Sequence, residues 1–235
     1  MVEAYLFDLD GVLTPTAAIH RRAWAQVMGG FLASRGAQPP YSEDDYFQHI
    51  DGKPRFEGVA ALLASRGIDL SAGQAGEAPG EGSVAALGQR KNAEFARLLA
   101  TQPVAAYPGT VEVLDALAAV GRRLAVVSSS RNALAVLRAS GLLEKFALVV
   151  DGALAAAQGL PGKPAPDTYV YAAAQLGFEP AQAAVVEDAI AGLQAARAGA
   201  FGLVVGVDRG AGREALRQAG ADRVISDLRQ LLPAA

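Results

Sequence analysis

An α/β fold, a doubly wound parallel sheet interrupted by an all-helical insertion, is what this sequence predicts. Three observations carry that expectation. Short apolar runs bounded by turn residues recur along the chain, and helical patterns closed by glycine separate most of them. Residues from 16 to 100 break this rhythm and carry helical patterns only. At 235 residues, 51% hydrophobic and 19% charged, the chain is long and apolar enough for a sizeable core.

The first run, Ala4-Tyr5-Leu6-Phe7, stops abruptly at Asp8-Leu9-Asp10-Gly11. Four more follow at 124–127, 146–150, 183–186 and 201–207, with a weaker candidate at 223–225. Continuous apolar runs of this length read as strands buried on both faces, hence parallel ones. Between them, Val111, Leu114 and Leu117 are spaced by three and end at Gly121. Leu134 and Leu137 lie in a stretch closed by Gly141, and Ile190 with Leu193 opens another closed by Gly199. A glycine just past the periodic residues is the expected C-cap. The insertion reads as helices over 17–32, 43–49, 55–65 and 84–100. Residues 71–83, rich in Gly, Ala, Glu and Pro, read as a flexible loop between two of those helices, with a linker between independent domains as the alternative. The expected domains are a core of 1–15 and 101–235 and a helical cap of 16–100, with no internal repeat.

Composition narrows the function. A net charge of −3 removes the electrostatic case for nucleic acid. Without cysteine there are no disulfides, thiolate metal sites or cysteine nucleophiles, and two histidines leave little room for a histidine-built zinc site. No window approaches the ~20 apolar residues of a membrane span. The N-terminus carries acids at Glu3, Asp8 and Asp10 rather than a basic leader. The expectation is a cytoplasmic, monomeric protein with no membrane or nucleic-acid partner, acting on a small molecule through Asp, Glu, Ser, Thr, Lys or Arg.

In an open α/β sheet the site forms beyond the carboxyl ends of the strands. Asp8 and Asp10 follow the first strand, Ser128-Ser129-Ser130 the second, Lys163 the third, and Glu187-Asp188 the fourth. One aspartate at a strand end is more often a turn former or cap. Acids, hydroxyls and one of only four lysines converging on one edge are a stronger signal. The set suits phosphoryl transfer. Clustered carboxylates repel unless a hard cation joins them, and Mg²⁺ takes carboxylate and phosphate oxygens. A carboxylate can be the nucleophile, while lysine and serine hold the charge on the phosphoryl oxygens. No Gly-x-x-x-x-Gly-Lys-[Ser/Thr] loop is present.

Asp8-Leu9-Asp10-Gly11-Val12-Leu13-Thr14, then Ser128, Lys163-Pro164 and Glu187-Asp188 in order, resemble the motifs of the haloacid dehalogenase-like superfamily over essentially the whole chain. The likeness is closest to the β-phosphoglucomutase-like branch. It extends to Thr16, His20, Arg22-Ala23-Trp24, Arg90-Lys91-Asn92, Tyr107-Pro108-Gly109, Ser130-Arg131-Asn132 and Lys163-Pro164-Ala165-Pro166-Asp167. The resemblance implies a Rossmann-like core with an inserted helical cap, Asp8 as nucleophile and Asp10 as general acid and base. It implies Mg²⁺ on Asp8, the Asp10 carbonyl and Asp188 with Glu187 close by, and Ser128 with Lys163 on the transferring phosphoryl group. Substrate contacts are expected from His20, Arg55, Lys91, Ser129, Ser130 and Asn132. His20 either gates the acid/base, as the family implies, or packs on a cap helix; Trp24 reads as cap core.

Relatives that cleave carbon–halogen or carbon–phosphorus bonds lack an acid two residues after the nucleophile, so Asp10 favours a phosphate ester. The chain departs from the mutases at Pro15, at Asp51, which stands where they have lysine, and in a longer loop over 152–162. Arg55 matches the cap arginine that grips their distal phosphate. The sequence therefore predicts a Mg²⁺-dependent phosphatase for a small phosphorylated metabolite such as a sugar phosphate. A β-phosphoglucomutase is the alternative within enzymes, and an idle binding domain the alternative outside them.

Overall fold

In the computed structural model, which describes residues 2–101 and 103–232, the apolar runs pair side by side. They form β1 (Ala4–Phe7), β2 (Arg123–Val127), β3 (Leu148–Val150), β4 (Ala183–Glu187), β5 (Leu203–Val207) and β6 (Arg223–Ile225). All pairings are parallel, in the order β3-β2-β1-β4-β5-β6. Chain direction along the sheet reverses between β1 and β4, the switch point where an open sheet leaves a crevice at its carboxyl edge. The described residues belong to two compact units, one of Met1–Pro15 with Val104–Ala235 and one of Thr16–Pro103. Among them, no helix is long and apolar enough to cross a membrane.

Several strand ends differ from the apolar pattern. β3 and β5 start at Leu148 and Leu203, although the apolar runs begin at Phe146 and Phe201. Hydrophobicity marks burial, not pairing: Phe201 packs edge-on against Tyr169 at 6.0 Å, and Phe146 against Phe7 at 6.4 Å. β4 instead runs one residue further, because the buried Glu187 still pairs with Gly206.

In the helical unit, α1 (Thr16–Ser34) buries Ile19, Ala23, Trp24, Val27, Met28, Phe31 and Leu32, a stripe of three- and four-residue steps. The stretch predicted as one helix over 43–49 is a short α2 (Glu43–Asp45) followed by a π-helical turn, Tyr46–Ile50. A capping box starts it: Ser42 N–H donates to Asp45 at 2.8 Å, and Asp45 N–H to Ser42 Oγ at 3.3 Å. Two further helices, α3 (Arg55–Ser65) and α4 (Val84–Leu99), complete the unit. The 71–83 segment is tied down rather than loose. The N–H groups of Val84 and Ala85 donate to the carbonyls of Ser71 and Ala72, each at 3.0 Å, and Ser83 Oγ donates to Glu77 at 2.6 Å. A helix start has N–H groups without intrahelical partners, and this segment supplies their acceptors.

The α/β unit adds α5 (Thr110–Ala119), α6 (Ala133–Ala139), α7 (Gly152–Ala157), α8 (Asp167–Gln175), α9 (Ile190–Ala198) and α10 (Arg213–Gln218). α7 lies inside the stretch read as a loop over 152–162. Its run of glycine and alanines has no apolar period to see, but Asp151 caps it, accepting from Ala153 and Leu154 N–H at 3.0 and 2.8 Å. The core of this unit joins Ala4, Leu6, Val127, Val185 and Val204 of the sheet to Tyr169, Ala172, Leu193 and Ala196 of the helices.

Candidate active site

Register brings the catalytic candidates of the α/β unit to one level. Phe7 lies opposite Val126 of β2 and Val186 of β4, so Asp8, directly after β1, comes level with Val127 and Glu187, the last residues of β2 and β4. Asp8 N–H donates to Val186 O at 2.9 Å, which fixes the backbone from which its carboxylate leaves the sheet.

Lys163 ties these strand ends together. Its Nζ donates to Asp8 Oδ1 at 2.6 Å, to Glu187 Oε1 at 2.7 Å and to Val127 O at 3.0 Å, with a relative exposure of 1%. An ammonium has three N–H donors, and all three are used here. Beneath it the Tyr169 ring centre lies 4.8 Å away, and Tyr169 Oη donates to Glu187 Oε1 at 3.3 Å. The other oxygen, Glu187 Oε2, accepts from Ala189 N–H at 2.8 Å. Glu187, expected beside the metal, thus gives both oxygens to protein donors and acts as the anchor for Lys163.

The Asp8–Thr14 turn is held by Gly11 N–H to Thr14 O at 2.8 Å and by Leu13 and Thr14 N–H to Leu9 O at 3.0 and 3.1 Å. Gly11 has φ +101°, a region an L side chain resists, and a methyl group on it would lie 1.9 Å from Asp188 Oδ2. The bare Cα lets Asp188 close against the segment that carries Asp10. Ser128 is buried beyond β2, its N–H donating to Val150 O at 2.9 Å and its Oγ accepting from Ser130 N–H at 3.1 Å. Ser130 Oγ accepts in turn from Asn132 N–H at 3.2 Å. The start of α7 packs here, for a methyl group on Gly152 would lie 2.5 Å from Ser129 O.

In the helical unit, Lys91 lies on the buried face of α4 between Leu87 and Phe95. Its Nζ is 2.5 Å from His20 Nδ1 and about 5 Å from the Trp24 and Phe95 ring centres, at 5.0 and 5.1 Å. His20 stacks on Phe95 at 3.9 Å. Arg55 donates to Asn92 Oδ1 at 2.8 Å and to Gln89 Oε1 at 3.4 Å, which presets its guanidinium.

The electrostatics of the strand ends are one-sided. Burial would lower the Lys163 ammonium, but Asp8 and Glu187 beside it hold it well above its ordinary range. Burial pushes the Asp8 carboxyl up to about 8 against the pull of Lys163, and Glu187 and Asp10 add to the rise. One buried ammonium is thus shared by two carboxyl groups, and burial disfavours the charge on Asp8. Among the described residues no three His, Cys, Asp or Glu side chains form a ready-made metal cage. Mg²⁺ does not require one, since it binds through one or two carboxylates with waters and substrate oxygens. The all-oxygen set of Asp8, Asp188 and the Asp10 carbonyl suits that hard ion.

Tyr169 and Gly192 were not readable as site residues. Tyr169 and Tyr171 stand two apart in α8, and nothing local says which one is buried. Gly192 leaves the space that Glu187 fills, a fact of packing between β4 and α9.

Residues 2–199 match the haloacid dehalogenase-like hydrolase family. A β-phosphoglucomutase of Mycobacterium bovis is 42% identical over 241 residues, spanning 98% of this chain and 92% of its own. The fructose-1-phosphate phosphatase YqaB of Escherichia coli is 31% identical, over 84% of this chain and 94% of its own. The crystal structure of a CbbY variant from Rhodobacter sphaeroides in complex with xylulose-(1,5)bisphosphate superposes with a TM-score of 0.73 at 28% identity, covering 98% of this chain and 96% of that one.

Proposed function

The chain belongs to the haloacid dehalogenase-like hydrolases, on their β-phosphoglucomutase-like branch, and from that membership we propose that it is a Mg²⁺-dependent phosphatase of a small sugar phosphate. The observation that carries the reading is the buried Lys163 bridging Asp8 and Glu187 at the carboxyl ends of β1 and β4.

Lys163 holds Asp8 Oδ1, so Oδ2 is the oxygen presented to phosphorus. It attacks, the bond from phosphorus to the sugar oxygen breaks, and the Asp10 carboxyl gives its proton to the leaving alkoxide. Water then attacks the aspartyl-phosphate while the Asp10 carboxylate takes a proton from it. The bond to Asp8 breaks and phosphate is released. Ser128 donates to the phosphoryl oxygens, and Lys163, its N–H groups held by Asp8, Glu187 and Val127 O, places its positive charge beside them. Asp8, the Asp10 carbonyl and Asp188 would hold Mg²⁺, with Glu187 next to them as the lysine's anchor. The ion supplies positive charge to the phosphoryl oxygens when bound. Ser129, Ser130 and Asn132 of the core and His20, Arg55 and Lys91 of the helical unit are assigned to the sugar and its far end. The protein works as a cytoplasmic monomer on a soluble metabolite.

The mutase reading is supported by the 42% identity to a protein named as one. It needs a sugar hydroxyl in place of water as the acceptor from Asp8. A second phosphate is harder to hold where Asp51 replaces the mutase lysine, which is why hydrolysis is preferred here.

The test is phosphate release from a panel of sugar phosphates with and without Mg²⁺, on the native protein and on Asp8→Asn. Chelation should abolish release and Mg²⁺ restore it. The isosteric amide is a poor nucleophile, so Asp8→Asn should lose at least about 10³-fold in kcat while remaining folded. Activity within tenfold of native would remove Asp8 from the role.

A further inference from the structure

β5 ends at Val207, so the loop after it leaves the same carboxyl edge of the sheet as Asp8 and Glu187. Its shape is set locally. Asp208 N–H donates to Ile225 O at 2.8 Å, and Asp208 Oδ1 accepts from Gly210 and Gly212 N–H at 3.1 and 3.2 Å. From this loop Arg209 reaches three places. Its Nε donates to Gly11 O at 2.8 Å, its Nη1 donates to Ser226 O at 3.0 Å, and its guanidinium carbon lies 4.0 Å from the centre of the Tyr107 ring. Tyr107 is itself anchored to the catalytic segment, donating its N–H to Leu13 O at 2.9 Å.

The turn after Asp8 spends its own donors on Thr14 O and Leu9 O. The Gly11 carbonyl is bonded from outside, by a charged donor 198 residues away in sequence. A guanidinium bonds a carbonyl more strongly than a neutral donor does, and one stacked on a ring is already oriented. Gly11 has no side chain with which to fix its own peptide.

We propose that Arg209 is a positioning residue: by holding the Gly11 carbonyl it fixes the Gly11–Val12 peptide, one residue beyond Asp10 in the tight turn, and so aims the carboxyl group that protonates the leaving oxygen. This rests on the reading of Asp10 as general acid. A misplacement of about 1 Å in such a group can cost about 100-fold.

The test uses leaving groups. A sugar alkoxide needs a proton as it departs, whereas p-nitrophenolate leaves without one. kcat/KM covers the steps through formation of the aspartyl-phosphate. Arg209→Gln should lower kcat/KM about 10- to 100-fold on glucose 6-phosphate and less than about threefold on p-nitrophenyl phosphate. Arg209→Lys, which keeps a charged donor, should recover part of the loss on the sugar phosphate only. Tyr107→Leu removes the ring that orients the guanidinium and should give a smaller loss with the same selectivity, which keeps the proposal testable if Arg209→Gln does not fold. Equal losses on both substrates, or none on either, would overturn it. Asp10→Asn is the control. If it fails to discriminate between the two substrates, the general-acid reading is at fault; if it discriminates and the Arg209 and Tyr107 variants do not, the positioning role alone is lost.

Discussion

Glu187 sits so close to the Cα of Gly192 that a methyl group there would lie 1.7 Å from its Oε1. That oxygen is the one accepting from Lys163, so the space left by a missing side chain in α9 sets where the lysine stands. In an exposed helix interior, alanine would be favoured over glycine by about 1 kcal/mol. Here the overlap dominates, because Glu187 is fully buried and has nowhere to retreat. Gly192→Ala is expected to destabilise the protein by about 1–3 kcal/mol, the usual range for overpacking, and to lower kcat as Lys163 and Asp8 shift. Urea denaturation with a phosphate-release assay checks both; a stabilised and fully active variant would contradict this packing. Asp8, Asp10, Ser128, Lys163 and Asp188 could be picked out in the sequence because each follows an apolar run. The partners that aim them could not, since Tyr169 and Gly192 lie in helices whose facing surfaces only packing reveals.

Within single elements, α1 provides the opposite case to Gly192. Gly30 is exposed on this helix, with no atom within 4 Å of where a methyl group would go. Gly30→Ala should therefore stabilise the helical unit by about 0.5–1 kcal/mol through lost unfolded-state entropy, seen as a raised denaturation midpoint. The entry to α2 depends on charge instead. Burial would raise the Asp45 carboxyl, but hydrogen bonds from Arg66, at 2.5 and 2.6 Å, and from Ser42 hold it below its ordinary value. A carboxyl lowered on folding contributes stability that is present above its unfolded pKa, about 3.9, and lost as pH falls through the folded value. Arg66→Gln should thus cost about 1.5–3 kcal/mol at pH 7, and the gap to native should shrink below about pH 4. Denaturation curves at pH 7 and pH 3 test this, and a gap that does not narrow would exclude the pair as its source. The helical pattern over 43–49 was legible, but its π-helical second half was not, because periodicity does not distinguish a four-residue from a five-residue hydrogen-bond step. The 71–83 segment misled for a related reason. Gly and Pro content reports backbone freedom, and this backbone is occupied in capping α4.

For the molecule as a whole, the question under the proposed mechanism is which acceptor would take the phosphoryl group from Asp8. Isomerisation requires a sugar bisphosphate to be held at both ends, and Asp51 adds a negative charge to the segment that leads into Arg55. Incubation with β-glucose 1-phosphate, a trace of the bisphosphate and Mg²⁺ should therefore release free phosphate faster than glucose 6-phosphate accumulates. The reverse order would establish the mutase reading.

The α/β class, the parallel strands and the helical insertion follow from local patterns: apolar runs too short for helices, glycines at helix ends, and an aspartate pair directly after the first strand. These are legible because burial periodicity and turn chemistry act over a few neighbouring residues. The assembly of the site is different in kind. Lys163 meets Asp8 across 155 residues and Glu187 across 24. Glu187 reads in sequence as one more acid near a metal, and becomes the lysine's anchor only when β4 is set beside β1 and α9 is packed with a glycine against it. Which carboxylate faces the lysine, and which faces the turn at Gly11, is settled by strand register and helix packing, because those decide distances that no local pattern encodes.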